Sequence, residues 1–161
     1  MLLIRQAAVY APEYLGVRDV LVCGGVIEAV EEQIEGELPF CKVIDGRGKK
    51  LTPGFIDPHV HITGGGGEGS FHTQVPPVKL SELLQGGVTS LVGLLGTDGI
   101  SRNMESLLAR GKALKEEGLT VYLCTGSYGY PSVTLTGDIR KDIMFVEEII
   151  GVKLALSDHR A

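Results

Sequence analysis

The sequence predicts an α/β protein: about four βα units of parallel sheet preceded by a small antiparallel β region. Three observations predict it. Strand-length runs, GFIDPHVHI and then the largely apolar TSLVGLLG, LTVYLCTG and IIGVKLALSD, alternate with segments of helical periodicity, the pattern of strands buried on both faces beneath helices. Before Thr52 the runs are shorter, several alternate with period two, and glycine turns separate them. Four βα-type strands fit into the 161 residues, whereas a closed (β/α)8 barrel needs eight units and typically ~250 residues. The second region is therefore either an open four-stranded α/β sheet or the first half of a barrel.

In residues 1–52, LLIRQAAVY, VRDVLVCGG, VIEAVEE and CKVID are each strand-length. Gly24-Gly25 separates two of them as a hairpin turn does, and Asp45-Gly46-Arg47-Gly48 is a second turn cluster. These residues form the expected first domain, a small β-sandwich-like unit, and residues 53–161 the second. There, KLSELLQGG reads as a short helix. SRNMESLLARGKALKEEG reads as a longer one, with Met104, Leu107, Leu108 and Leu114 on one face, Ser101 placed to cap its start and Gly118 to end it. Around Asp138 to Glu148 a third helix has Ile139, Ile143 and Val146 at i, i+4 and i+7. In the fourth strand, Gly151, Lys153, Ala155 and Ser157 share one face, so Val152, Leu154 and Leu156 are expected against the helices.

Composition bounds the function. With 43 % hydrophobic and 22 % charged residues the chain reads as globular and soluble. A net charge of −5 without a basic block gives no reason to expect nucleic acid or an anionic membrane as partner. Cys23, Cys41 and Cys124 form no C-x-x-C and no disulfide framework, which fits a reducing cytoplasm. Arg5 interrupts the N-terminal apolar run, so it does not read as a signal peptide. No stretch approaches the ~18 apolar residues of a membrane helix.

His59-Val60-His61 is the first chemical signal. On a strand, residues two apart lie on one face about 7 Å apart, so two imidazoles at a strand's C-terminal end can share one metal, as α/β active sites require. Two solvent-facing histidines are the plain alternative. Asp57 shares that face and is placed to orient a histidine or approach the metal. Lys153 is the second signal, because a lysine amid apolar residues is costly unless it serves a ligand, and a desolvated amine is nucleophilic. It could form a Schiff base or a carbamate; a lysine reaching back to water is the plain reading. Gly64 to Gly67 with Glu68 suggests a loop over a site, and no helix follows directly as a dinucleotide motif would need. Tyr128 also stands at a strand end, where its hydroxyl can donate to a developing oxyanion. Arg160 offers a two-pronged grip on a carboxylate.

LTPGFIDPHVH at the junction of the two regions resembles the opening signature of the amidohydrolase superfamily. Within it, GGGGEGS, GLLGTDG, GSYGYP and GVKLALSDHR together resemble the isoaspartyl dipeptidase family, along essentially the whole chain. The resemblance implies the first half of a (β/α)8 amidohydrolase barrel with two zinc ions in the complete enzyme. His59 and His61 would bind one ion, and Lys153, as a carbamate, would bridge both. It further implies that Glu68 receives the substrate's α-amino group, that Tyr128 polarises the scissile carbonyl, and that Thr97 and Arg160 contact a small β-aspartyl dipeptide. A homo-oligomer is expected of the complete enzyme. The later-strand histidines and the aspartate of that family have no counterpart here, so the 161 residues are expected to be an inactive N-terminal portion that associates or is poorly soluble. Two other readings remain open: a cyclic-amide hydrolase of dihydropyrimidinase or dihydroorotase type, and a non-catalytic α/β module that binds metal or a partner.

Overall fold

The computed structural model describes residues 1–36 and 38–157, which divide into two units, Met1–Pro53 and Gly54–Ala161. The first unit holds strands β1 (Leu2–Tyr10), β2 (Tyr14–Cys23), β3 (Val26–Glu31), β4 (Lys42–Asp45) and β5 (Lys50–Leu51). Gly24 and Gly25 join β2 to β3 with φ of +57° and +84°, the left-handed pair that a two-residue hairpin turn needs and that glycine adopts at least cost.

The sheet runs β3-β2-β1-β4, with β5 also on β1. Here the expected purely antiparallel sheet is corrected. β1 pairs antiparallel with β2 but parallel with both β4 and β5, because the chain after β3 crosses over β1 instead of turning back as a hairpin. Period-two alternation identifies strands without naming their neighbours. Asp19, fully buried, fastens that crossover: its carboxylate accepts from the amides of Gln6 (2.8 Å) and Ile34 (3.0 Å) and from Arg5 (3.2 Å). Burial alone would push this carboxyl up, but those donors hold it below the ordinary aspartate range. Gln6, whose amide meets Asp19, has a left-handed conformation (φ 57°) at a β-bulge. Ala7, Val9 and Val20 form the small core.

In the second unit, β6 (Phe55–Val60), β7 (Val88–Gly93), β8 (Thr120–Thr125) and β9 (Ile149–Val152) form one parallel sheet in sequential order. Helices α1 (Leu80–Gln85), α2 (Met104–Glu116) and α3 (Ile139–Phe145) make the crossovers. Leu91, Val121, Leu123 and Ile149 from the strands pack with Ile62 and with Met104, Leu107 and Leu114 of α2 in one buried cluster. Gly111 lets α2 approach closely, since a Cβ there would lie 3.1 Å from Leu123. No helix among the described residues is long and apolar enough to cross a membrane.

Several local expectations change. The cap of α2 is Asn103, not Ser101: its side chain accepts from the Ser106 amide at 2.9 Å, while the Ser101 amide turns to Asp98. In α3 the fully buried residue is Asp142, and Ile143 lies 41 % exposed. β9 ends at Val152, so Lys153 stands just past the strand instead of within it. Val152, Leu154 and Leu156 are exposed, not covered by helices. The sheet likewise has one buried side, where Val121 and Leu123 face the core, while Tyr122 between them is 43 % exposed. Continuous apolarity does not by itself say which faces are covered.

Candidate active site at the strand C-termini

The end of β6 delivers the two histidines. The Asp57 carboxylate accepts from the His59 amide at 3.0 Å, so it shapes the backbone of this strand end instead of gripping an imidazole. The two rings stand nearly perpendicular with centroids 5.3 Å apart. His61 Nδ1 lies 3.2 Å from the Leu94 carbonyl oxygen. A carbonyl can only accept, so Nδ1 carries the proton, and in the neutral ring Nε2 keeps a lone pair, the arrangement that orients a metal-binding histidine. Burial pushes the His59 pKa down, and the nearby Lys153 charge pushes it further, which favours the neutral imidazole.

Lys153 reaches the same place from β9. Its amide donates to the Thr125 carbonyl at 2.7 Å, extending the β8 pairing past the strand. Gly126 makes the approach possible: its φ is +90°, and a Cβ there would stand 2.5 Å from the Lys153 carbonyl oxygen. The Lys153 ammonium sits 4.7 Å from the centre of the Tyr128 ring, a cation–π distance. His59, His61, Tyr128 and Lys153 therefore gather at the C-terminal ends of β6, β8 and β9. Cys124 joins them unforeseen. Its thiol is pushed up by burial while Lys153 pulls the other way. The sequence marks it only as an apolar-run cysteine, because the β8–β9 register that sets it opposite Gly151 leaves no local signature.

A second group lies at the same end of the sheet. Thr97, after β7, donates its hydroxyl to Glu68 at 3.1 Å, and both line a cleft of about 360 Å³ with Gly67, Phe71, Gln74 and Ser101. Arg160 lies outside the described residues.

Among the described residues no three His, Cys, Asp or Glu side chains converge as a metal cage. The donor set is two imidazoles with an amine beside them. The imidazoles fit a divalent transition metal, one already oriented through Leu94 and the other favoured neutral. The amine fits only after losing its positive charge, since an ammonium has no lone pair.

No family model matches the chain. The fold of the chain recurs in solved structures. A dihydroorotase structure superposes on 98 % of this chain with a TM-score of 0.61 at 20 % identity, a likeness of fold. The resemblance to isoaspartyl dipeptidase is much nearer. A β-aspartyl dipeptidase of Fervidobacterium islandicum AW-1 is 48 % identical with a TM-score of 0.93, and its complex with β-Asp-Leu gives 47 % and 0.91. Each covers 99 % of this chain, which spans 44 % and 42 % of theirs. Among curated sequences, a dihydroorotase of Elusimicrobium minutum is 36 % identical over 98 residues, which are 60 % of this chain and 22 % of that protein.

Proposed function

We propose that this chain provides the first metal ligands and the amino-group pocket of a zinc-dependent β-aspartyl dipeptidase. The convergence of His59, His61, Tyr128 and Lys153 at three strand ends carries the proposal, and the likeness to a dipeptidase along 99 % of the chain supports it. In this reading, residues 1–52 are part of a small β-sandwich-like domain and residues 53–161 the first four units of a hydrolase barrel, in a cytoplasmic homo-oligomer. Three free cysteines agree with a reducing compartment.

His59 and His61 would hold one zinc ion. Lys153 would serve two ions after its neutral amine adds to CO2 and releases a proton, leaving a carbamate. Bound zinc lowers the pKa of water and polarises a carbonyl. The chain's own groups do the rest. Glu68, steadied by Thr97, receives the substrate's α-ammonium as a charge-assisted hydrogen bond. The Tyr128 hydroxyl donates to the scissile carbonyl oxygen as negative charge develops there. Arg160 grips a substrate carboxylate. Similarity to dihydroorotases favours a cyclic-amide substrate as the second reading. A ring amide brings no free ammonium to Glu68, and that argues for the dipeptide.

Two ions need more donors than the described residues bring together, so turnover is tested in a chimera. This sequence is joined in frame to the portion of the Fervidobacterium islandicum enzyme that it leaves unmatched, and zinc and bicarbonate are supplied. We expect leucine release from β-Asp-Leu, none from N-acetyl-β-Asp-Leu, and at least a hundredfold loss on His61→Ala. A folded chimera that cleaves dihydroorotate but not β-Asp-Leu sinks the dipeptidase reading.

A further inference from the structure

The Glu68–Thr97 pair belongs to two separate loops, and an exposed hydrogen bond of 3.1 Å is too weak to hold them in register by itself. One side chain does tie them. Arg102, whose side chain is 12 % exposed, sends its guanidinium to three places at once. Nε donates to the Thr63 carbonyl at 3.1 Å and Nη2 to the Val75 carbonyl at 3.1 Å, the two ends of the segment that carries Glu68. Nη1 meets Asp98 at 3.4 Å, the residue after Thr97. A planar guanidinium can serve three acceptors in fixed directions, and a point charge cannot.

Each end of this web is itself built. Asp98 accepts from the amides of Ile100 (3.0 Å) and Ser101 (2.8 Å) and from the Ser101 hydroxyl, and Gln74 reaches it from the Glu68 segment at 3.4 Å. On the other side, the Val75 amide donates to the Gly65 carbonyl at 2.8 Å, folding the segment back on itself. Gly64 is needed there, because at φ +90° a Cβ would collide with the Val75 carbonyl oxygen at 2.1 Å. Arg102 lines no part of the cleft.

We infer that Arg102 is a positioning residue that sets Glu68 against Thr97 and thereby gives the cleft its preference for a free ammonium. The inference rests on the proposed role of Glu68. The recognised chemistry is a primary ammonium beside an acyl chain. Removing Arg102 leaves the long Gln74 contact of 3.4 Å to join the Glu68 segment to Asp98, with Glu68 and Thr97 chemically unchanged, so discrimination fails before general affinity does.

The test is ligand titration of the 161-residue chain, followed by amide NMR shifts, with β-Asp-Leu and with N-acetyl-β-Asp-Leu. We expect the unsubstituted chain to prefer the free amine by about tenfold. Arg102→Gln should cut that preference to about twofold or less, with the affinity for the acetylated ligand unchanged within about twofold. A purely structural role would weaken both ligands in parallel, and that outcome overturns the inference, as does a preference that survives Arg102→Gln. If Arg102→Gln does not fold by circular dichroism, Asp98→Asn tests the same pair from its other end. An asparagine still accepts from the Ile100 and Ser101 amides but loses the charge that Arg102 meets, and an undiminished preference there overturns the inference equally. Absence of any β-Asp-Leu binding by the unsubstituted chain overturns the functional reading and this inference with it.

Discussion

Helices α2 and α3 cover the same side of one sheet and are anchored in opposite ways. α2 inserts Met104, Leu107 and Leu114, all fully buried, and of its charged residues Arg110 is partly buried and donates to the Val78 carbonyl at 2.8 Å. α3 leaves Ile143, Met144 and Phe145 exposed and buries a carboxylate. Asp142 accepts from Thr125 at 2.5 Å, from Thr136 at 2.6 Å and from the amides of Leu135 and Thr136 at 2.9 Å each. The contrast follows from what each helix must hold. α2 is joined to β8 by a short turn and has only to cover the sheet. α3 follows residues 126–138, an irregular segment that bends back over the sheet with amides needing acceptors, and one ionised side chain satisfies several of them. That segment carries Tyr128, and Thr125 is the residue whose carbonyl receives the Lys153 amide. The polar anchor thus stands next to the chemistry and the apolar one away from it.

The largest effect is expected where the polar anchor is cut. Asp142→Ala leaves at least two buried or half-buried donors without a partner, at about 1–3 kcal/mol each, so about 3–5 kcal/mol should be lost from the second unit. Hydrogen exchange of the β8 and β9 amides measures this unit apart from the first. Acid should act through the same residue. Burial alone would raise the Asp142 carboxyl, but its four donors outweigh that and hold it below the usual aspartate range. A depressed carboxyl contributes stability that is present above the unfolded-state pKa of about 4 and fades as pH falls through the folded value. Asp142→Asn should therefore flatten part of the stability loss below about pH 4. An unchanged acid slope would show that Asp142 is not an ionised anchor.

Leu107→Ala tests the apolar anchor and should cost about 3 kcal/mol, within the usual 2–5 for a fully buried leucine, with no change in acid slope. The two anchors differed in legibility for the same reason that they differ in kind. The face of Met104, Leu107 and Leu114 repeats at helical spacing, so it can be read from the chain directly. Asp142 has no spacing that betrays it, and the Ile139–Ile143–Val146 pattern points to the wrong face. The site divides similarly. His59-Val60-His61 and Lys153 stand out locally, the first by strand alternation and the second by its apolar setting. Cys124 and Arg102 acquire their roles from strand register and from loops more than twenty-five residues apart in sequence. In the first unit, alternation gave the strands, but the parallel pairing of β1 with β4 and β5 depends on a crossover that Asp19 secures.

Phe145→Ser should have the smallest effect on stability and separates an exposed apolar residue from an anchoring one. Phe145 is 73 % exposed at the end of α3, so its ring has little transfer free energy to lose on substitution, and the change should stay within about 0.5 kcal/mol. If instead the cost approaches that of Leu107→Ala, α3 is held by apolar packing against something in solution, and its outward residues form an interface. Sedimentation of the 161-residue chain before and after the substitution distinguishes the two cases. With Asp142 as the anchor, α3 needs no such cover: exchange protection in β8 and β9 stays constant, and any change in self-association appears without a change in stability. The stability that α3 contributes is expected to track the buried Asp142 carboxylate, even though the same helix carries the exposed Ile143, Met144 and Phe145.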